Sequence, residues 1–206
     1  MGFETFIFDV DGTLINSYLT SYYAKEKALQ DLKIPYTKKQ IDAGFSLTSK
    51  ESLELFGIEL DSELGKNLMK KETVYFNKYL YLTALFPNIE EVLKELKQNN
   101  KNLAIVTSRI RKEVETEKVL QPILKYFDVI ITASDVRYPK PHSESLELLF
   151  SKTGWDKEKA TFIGDSFNDS KCASTFGISF GLAMWGALDD VPCDYKINDV
   201  LDIKAL

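Results

Sequence analysis

The sequence is poor in the residues that metal, redox and nucleic-acid chemistry most often use. It has two cysteines, Cys172 and Cys193, and one histidine, His142, among 206 residues. The cysteines make neither a C-x-x-C pair nor a zinc-ligand pattern, so a reducing, cytoplasmic setting is expected. No apolar run approaches the ~20 residues that a membrane span needs, and mean hydropathy is −0.19; no membrane partner is expected. There is no basic excess either. The 26 Lys and Arg face 31 Asp and Glu, a net charge of −5, whereas a nucleic-acid binder presents a basic face to the phosphate backbone; no nucleic-acid partner is expected. No charged-then-apolar leader is visible, since Phe3 to Phe8 already reads as a strand. Internal repeats, low-complexity tracts and linkers are missing too.

What remains is ordinary globular composition, 44% hydrophobic and 28% charged. The length fits one large domain or one domain with a sizeable insertion. A chain of this size buries on the order of 70% of its unfolded surface. Short apolar runs rich in β-branched and aromatic residues predict strands at Phe3–Phe8, Leu103–Thr107, Val129–Ala133, Ala160–Gly164 and Ile178–Leu182. Helical spacing lies between them, at Arg111–Leu120 and Ser143–Ser151. Alternating strands and helices predict an α/β fold, a doubly wound parallel sheet of the Rossmann-like kind.

One spacing does not fit that plan. About a dozen residues suffice for a crossover helix, yet the first two strands are separated by far more. Pro87–Asn99 supplies the crossover, with Ile89, Val92, Leu93 and Leu96 on one face. The stretch from Ser17 to Leu82 is surplus and reads as helical. Tyr18, Leu19, Tyr22, Ala28, Leu29 and Leu32 mark a helix stopped by Pro35. Thr37 with Gln40 and Thr48 with Glu51 have capping-box spacing. Gly44 and Gly57 stand where helices should end, and Asp61 is placed to cap a last helix running to Tyr81. The expected organisation is an α/β core of residues 1–16 and 83–206 with an inserted helical bundle of residues 17–82. The insertion carries ten lysines, no arginine and nine acids. This is a solvated face, or a set of cations that helps draw in an anion.

The chemistry concentrates at strand ends. Asp9-Val10-Asp11-Gly12-Thr13 follows the first strand, and Asp165 follows the fourth, with Asp169 four positions on. Ligands of open α/β sheets bind beyond the carboxyl ends of the strands, so these acids converge if the two strands are neighbours. Carboxylates ~4 Å apart repel by roughly 4 kcal/mol at an effective dielectric of ~20. Such a cluster needs a cation or shared protons. Oxygen ligands without His or Cys suit a hard ion, Mg²⁺ foremost. Thr107-Ser108 and Lys140, at two further strand ends, offer the hydroxyl and ammonium that a phosphoryl group requires. Taken singly, each of these is an ordinary turn or surface residue.

Together the segments resemble the haloacid dehalogenase superfamily, in its phosphoglycolate phosphatase-like branch with a helical cap. Asp9-Val10-Asp11-Gly12-Thr13-Leu14 is similar to the first motif, Thr107-Ser108 to the second, Lys140-Pro141 to the third and Gly164-Asp165-Ser166-Phe167-Asn168-Asp169 to the fourth. Phe86-Pro87-Asn88-Ile89 and Met184-Trp185-Gly186 also resemble family segments. The resemblance implies a Mg²⁺-dependent phosphatase acting on a small phosphorylated metabolite through an aspartyl-phosphate. Asp9 is then the nucleophile and Asp11 the general acid and base. Asp9, the Asp11 backbone carbonyl and Asp165 become the metal site, with Asp169 acting directly or through water. Thr107 and Ser108 bind the phosphate, and Lys140 neutralises charge. A monomer or weak homodimer is expected.

Some positions depart from the family pattern without touching the chemistry: Pro139 where Gly is common, Asn16 where Asp is common, and Ser143 where Pro is common. The alternatives are a pyrophosphatase, a sugar-phosphate mutase of the β-phosphoglucomutase kind, and an idle binding or regulatory protein. The mutase reading is weakened because no His follows the first motif and the insertion lacks Arg. Among other residues, His142 reads as a surface helix start, Cys172 as packed, Cys193 as a loop residue and Trp185 as a loop anchor. Seven of the ten tyrosines lie between Tyr18 and Tyr81, where most pack the insertion's own core. Phe45-Ser46-Leu47-Thr48 is the candidate specificity loop.

Overall fold

The computed structural model describes residues 2–45 and 47–206. The chain divides into two compact units, Met1–Asn16 with Leu85–Leu206, and Ser17–Ala84.

The strands are β1 (Thr5–Phe8), β2 (Ile15–Asn16), β3 (Ala84–Leu85), β4 (Asn102–Val106), β5 (Val129–Ile131), β6 (Ala160–Gly164), β7 (Ser179–Ala183) and β8 (Tyr195–Ile197). Among the described residues, six of them form one sheet in the order β5-β4-β1-β6-β7-β8, with every neighbouring pair parallel. β2 and β3 pair separately. Alternation along the strands explains why the sheet is buried on both sides. Phe6, Phe8, Leu103, Ile105 and Ile163 face one core with Ile89, Val92, Leu93 and Leu96. Ile7, Ala104, Val106 and Phe162 face the other with Leu146, Leu149 and Cys172. The fold is therefore α/β and doubly wound.

The crossover helix spans Ile89–Gln98. The expected helix Arg111–Leu120 ends early, at Thr116, and a second short helix, Gln121–Leu124, begins just beyond the expected span. Pro122 opens the second, where its fixed φ and missing N–H are tolerated. Glu117 leaves the helix in an extended conformation. Helices Glu144–Thr153 and Phe167–Phe176 follow β5 and β6 in turn. The first strand starts at Thr5 rather than Phe3, whose N–H bonds instead to the Leu206 carbonyl. β8 completes the edge of the sheet, although its three residues carry too little pattern to predict.

The second unit holds helices Tyr18–Asp31, Lys38–Gly44, Ser49–Glu54 and Glu63–Tyr79. Both capping boxes form: Thr37 with Gln40 and Thr48 with Glu51. The last helix is capped by Ser62, not Asp61. The Ser62 hydroxyl accepts the Gly65 N–H at 3.0 Å and donates to the Glu59 carbonyl. That helix also stops at Tyr79, two residues short of expectation, and passes into a 3₁₀ turn at Leu80–Leu82. The unit's core is Ala28, Leu29, Ile41, Leu53, Ile58 and Leu68. In the expected specificity loop, Ser46 lies outside the described residues, and Phe45 packs edge-on against Tyr18 with centroids 5.6 Å apart.

Candidate active site

Register decides which strand ends meet. Phe8 of β1 lies beside Ile105 of β4 on one side and Ile163 of β6 on the other. Asp9, which follows β1 directly, donates its N–H to the Ile163 carbonyl at 3.0 Å. Asp165 follows the end of β6, and Asp169 lies in the first turn of the next helix. One oxygen each from Asp9, Asp165 and Asp169 falls within a 4.8 Å cluster, and all three residues are buried.

Each member is held by local chemistry. The Ser166 hydroxyl accepts the Asp169 N–H, and Asp169 Oδ2 accepts from the Ser166 N–H at 3.1 Å and hydroxyl at 2.6 Å. This capping box turns the Asp169 carboxylate back toward the helix start. The Thr13 hydroxyl donates to Asp165 Oδ1 at 3.0 Å. Two glycines make the approach possible. Gly12 has φ +76°, and a Cβ there would fall 2.1 Å from Asp165 Oδ2. A Cβ on Gly164 would fall 2.6 Å from the Asp169 side chain. Trp185 anchors the first-motif loop by donating Nε1–H to the Thr13 carbonyl at 3.0 Å.

Lys140 is 3% exposed. Its ammonium bridges Asp9 Oδ1 at 2.7 Å and Asp169 Oδ1 at 2.5 Å, and it lies 5.5 Å from the Phe162 ring centroid. Burial alone would lower its proton affinity, but Asp169 and Asp9 outweigh that and hold it firmly charged. The one ammonium does not balance the carboxylates. Burial, then the neighbouring Asp169, pushes Asp9 up from 3.8 to about 7 despite Lys140. Burial, then Asp169 and Asp9, raises Asp165 well above the carboxylate range. Excess negative charge and an all-oxygen donor set fit a hard divalent cation.

The remaining predicted residues fall as follows. Thr107 is buried at the end of β4, and its hydroxyl accepts the Arg109 N–H at 3.2 Å. Ser108 is exposed in the same loop. The Asp11 carboxylate does not join the buried triad. Both of its oxygens accept from Arg109, Nε to Oδ2 and Nη2 to Oδ1, each at 2.7 Å. Arg109 also faces Glu117 at 3.4 Å. Sequence reading passed over Arg109; its place two residues after Thr107, in the loop beyond a strand end, was the available signal. His142 is exposed and its ring lies against Tyr138. Cys172 donates to the His142 carbonyl at 3.2 Å, and burial pushes its thiol up to about 12.

Residues 6–183 match the family model of the haloacid dehalogenase-like hydrolases. The chain belongs to that family and is an enzyme of its phosphatase class. It is 30% identical to a phosphoglycolate phosphatase of Salmonella typhi, covering 97% of this chain and 91% of the relative. It is 24% identical to the pyrophosphatase PpaX of Oceanobacillus iheyensis, covering 98% and 96%. A solved structure from Lactobacillus plantarum, named for a proposed phosphoglycolate phosphatase, superposes with a TM-score of 0.88 at 27% identity, covering 98% of each chain. Among the described residues, no helix is long and apolar enough to cross a membrane.

Proposed function

We propose that this chain is a Mg²⁺-dependent phosphatase that hydrolyses a small phosphorylated metabolite through an aspartyl-phosphate. The observation that carries the reading is the buried cluster of Asp9, Asp165 and Asp169 with Lys140 bridging two of them. A carboxylate crowded by like charges is costly unless chemistry uses it.

Asp9 attacks phosphorus, the bond to the leaving oxygen breaks, and that oxygen takes a proton from the Asp11 carboxyl. Water then attacks the phosphorylated Asp9. Asp11, now a carboxylate, takes the water's proton, inorganic phosphate departs, and the Asp9 carboxylate is restored. Thr107 and Ser108 bind the non-bridging phosphoryl oxygens. Lys140 offsets charge on Asp9 and the phosphoryl group while Asp169 keeps it in place. Asp9, Asp165 and Asp169, with the Asp11 carbonyl, would hold Mg²⁺. When bound, the ion supplies positive charge to the carboxylates and the transferring group. Residues 1–16 and 83–206 would be the catalytic core and 17–82 the cap; a monomer or weak homodimer in the cytoplasm is the expected setting.

Names carried by relatives support two substrate classes, a phosphoglycolate-like monoester and pyrophosphate. The test is phosphate release from a broad panel of phosphorylated metabolites, with Mg²⁺ and again with chelator. Metal-dependent release from at least one compound is expected. Release that is indifferent to chelator overturns the metal assignment, and no release at all overturns the phosphatase reading.

A further inference from the structure

The Asp11–Arg109–Glu117 arrangement is not used by the mechanism above, and it conflicts with it as it stands. Asp11 must serve a leaving oxygen and then a water, yet both of its carboxylate oxygens are committed to Arg109 at 2.7 Å. Such a bidentate pair is strong and directional. Something of equal chemistry must take the guanidinium if Asp11 is to be released.

The surroundings of Arg109 suit such an exchange. Its side chain is only 10% exposed, while that of Asp11 is 32% exposed, so the Asp11 side of the fork is reachable from solvent. From the other side the 5%-exposed Glu117 carboxylate holds Nη1 at 3.4 Å. Arg109 therefore keeps a charge partner when Asp11 departs. Arg109 also shares a loop with Thr107 and Ser108, assigned above to phosphate oxygens. Its planar fork matches a carboxylate or a phosphate equally well.

We propose that Arg109 is a specificity residue that selects substrates whose leaving group carries a second anion, and that this anion displaces Asp11 from the guanidinium. The inference rests on the phosphatase reading and narrows its substrate class. Ligands of this type are compact compounds with two anionic groups, a phosphate ester bearing a carboxylate or a pyrophosphate. Binding the second anion and releasing Asp11 are then one event, so compounds with a single phosphate bind without freeing Asp11.

The test compares kcat/KM for phosphoglycolate, pyrophosphate and 2-hydroxyethyl phosphate, which replaces the carboxylate of phosphoglycolate by an alcohol, using the full chain with Mg²⁺. The wild type is expected to favour one of the two second-anion compounds over 2-hydroxyethyl phosphate by ~100-fold, the scale of losing one partner of a buried charge pair. In Arg109→Gln this ratio collapses toward unity. Arg109→Lys, which keeps the charge but not the fork, gives a ratio between the two. Equal wild-type rates for all three compounds overturn the inference and leave the phosphatase reading intact. So does an Arg109→Gln variant that lowers kcat/KM for both classes in the same proportion, the behaviour of a purely structural residue. No release from any of the three, with release from other phosphate esters, also overturns the inference alone.

Discussion

The two units bury their interiors by different means. In the sheet unit, period-two alternation sends neighbouring residues of each strand into two separate apolar cores, and all four residues of β1 are buried. In the helical unit the apolar core is small, and polar groups share the interior. Lys25 is 9% exposed and reaches Ser52 at 3.1 Å and Glu72 at 2.7 Å. At its surface, the half-buried Tyr18 hydroxyl donates to Asp42, which also pairs with the exposed Lys38. A sheet packed on both faces leaves its strand ends as the place where polar residues can gather. A helical bundle with a thin core depends more on its caps and ion pairs. Substitutions near the strand ends of the first unit should therefore change chemistry, whereas those in the second should mainly change stability.

Four substitutions or conditions press on that contrast, from the largest effect to the smallest. Asp9→Asn should lower phosphate release by ~10³-fold or more, since it removes the proposed nucleophile, while the urea unfolding midpoint stays at or above that of the wild type. Retained turnover breaks the assignment. Phe162→Ala, at a fully buried site beside Ile7 in the second core, should cost ~4 kcal/mol of unfolding free energy. Chemical denaturation measures this, and a cost under ~1 kcal/mol would mean that the second core is less tightly packed than described.

The third concerns pH. Asp9 has its ordinary value of 3.8 when unfolded and is pushed up to about 7 in the fold, by burial and then by Asp169. The folded chain then holds the proton over a range in which the unfolded chain has lost it. Stability contributed by this group therefore falls as pH rises from about 4 to about 7 and is level above that. Thermal melts in chelator should show this slope. Both Asp9→Asn and added Mg²⁺ should flatten it, the ion also raising Tm by binding only the folded state. A slope unchanged by either result contradicts the electrostatics of the cluster. Last, Thr37→Ala removes a capping box in the helical unit and should cost ~1 kcal/mol. Phosphate release per folded molecule should be unaffected. A large loss of turnover would assign chemistry to the helical unit and erase the contrast.

Much of the fold was legible because strand and helix patterns are local. Ala160–Gly164 is a strand with the expected ends, and the crossover-helix face of Ile89, Val92, Leu93 and Leu96 is buried as its spacing predicts. Two of the misses have local causes too. Ser62 outcompetes Asp61 because its hydroxyl, one position later, lies at the helix start. Glu117 breaks a helix that periodicity would have continued, and it does so while facing a guanidinium eight residues away. Arg109 itself escaped notice because its main partner is 98 positions distant in the chain, and no window of sequence contains both.

The sequence by itself determined the main strands and the crossover helix of the sheet, the helical character of the inserted stretch and the set of acids and lysine offered for chemistry. Each of these follows from periodicity, capping and residue type over a few turns of chain. The tertiary structure alone decided the partners. Placing β6 beside β1 brings Asp165 and Asp169 to Asp9, and the loop after β4 delivers Arg109 to Asp11. Those choices depend on which faces of distant segments bury each other, a property of the packed whole that no local pattern encodes.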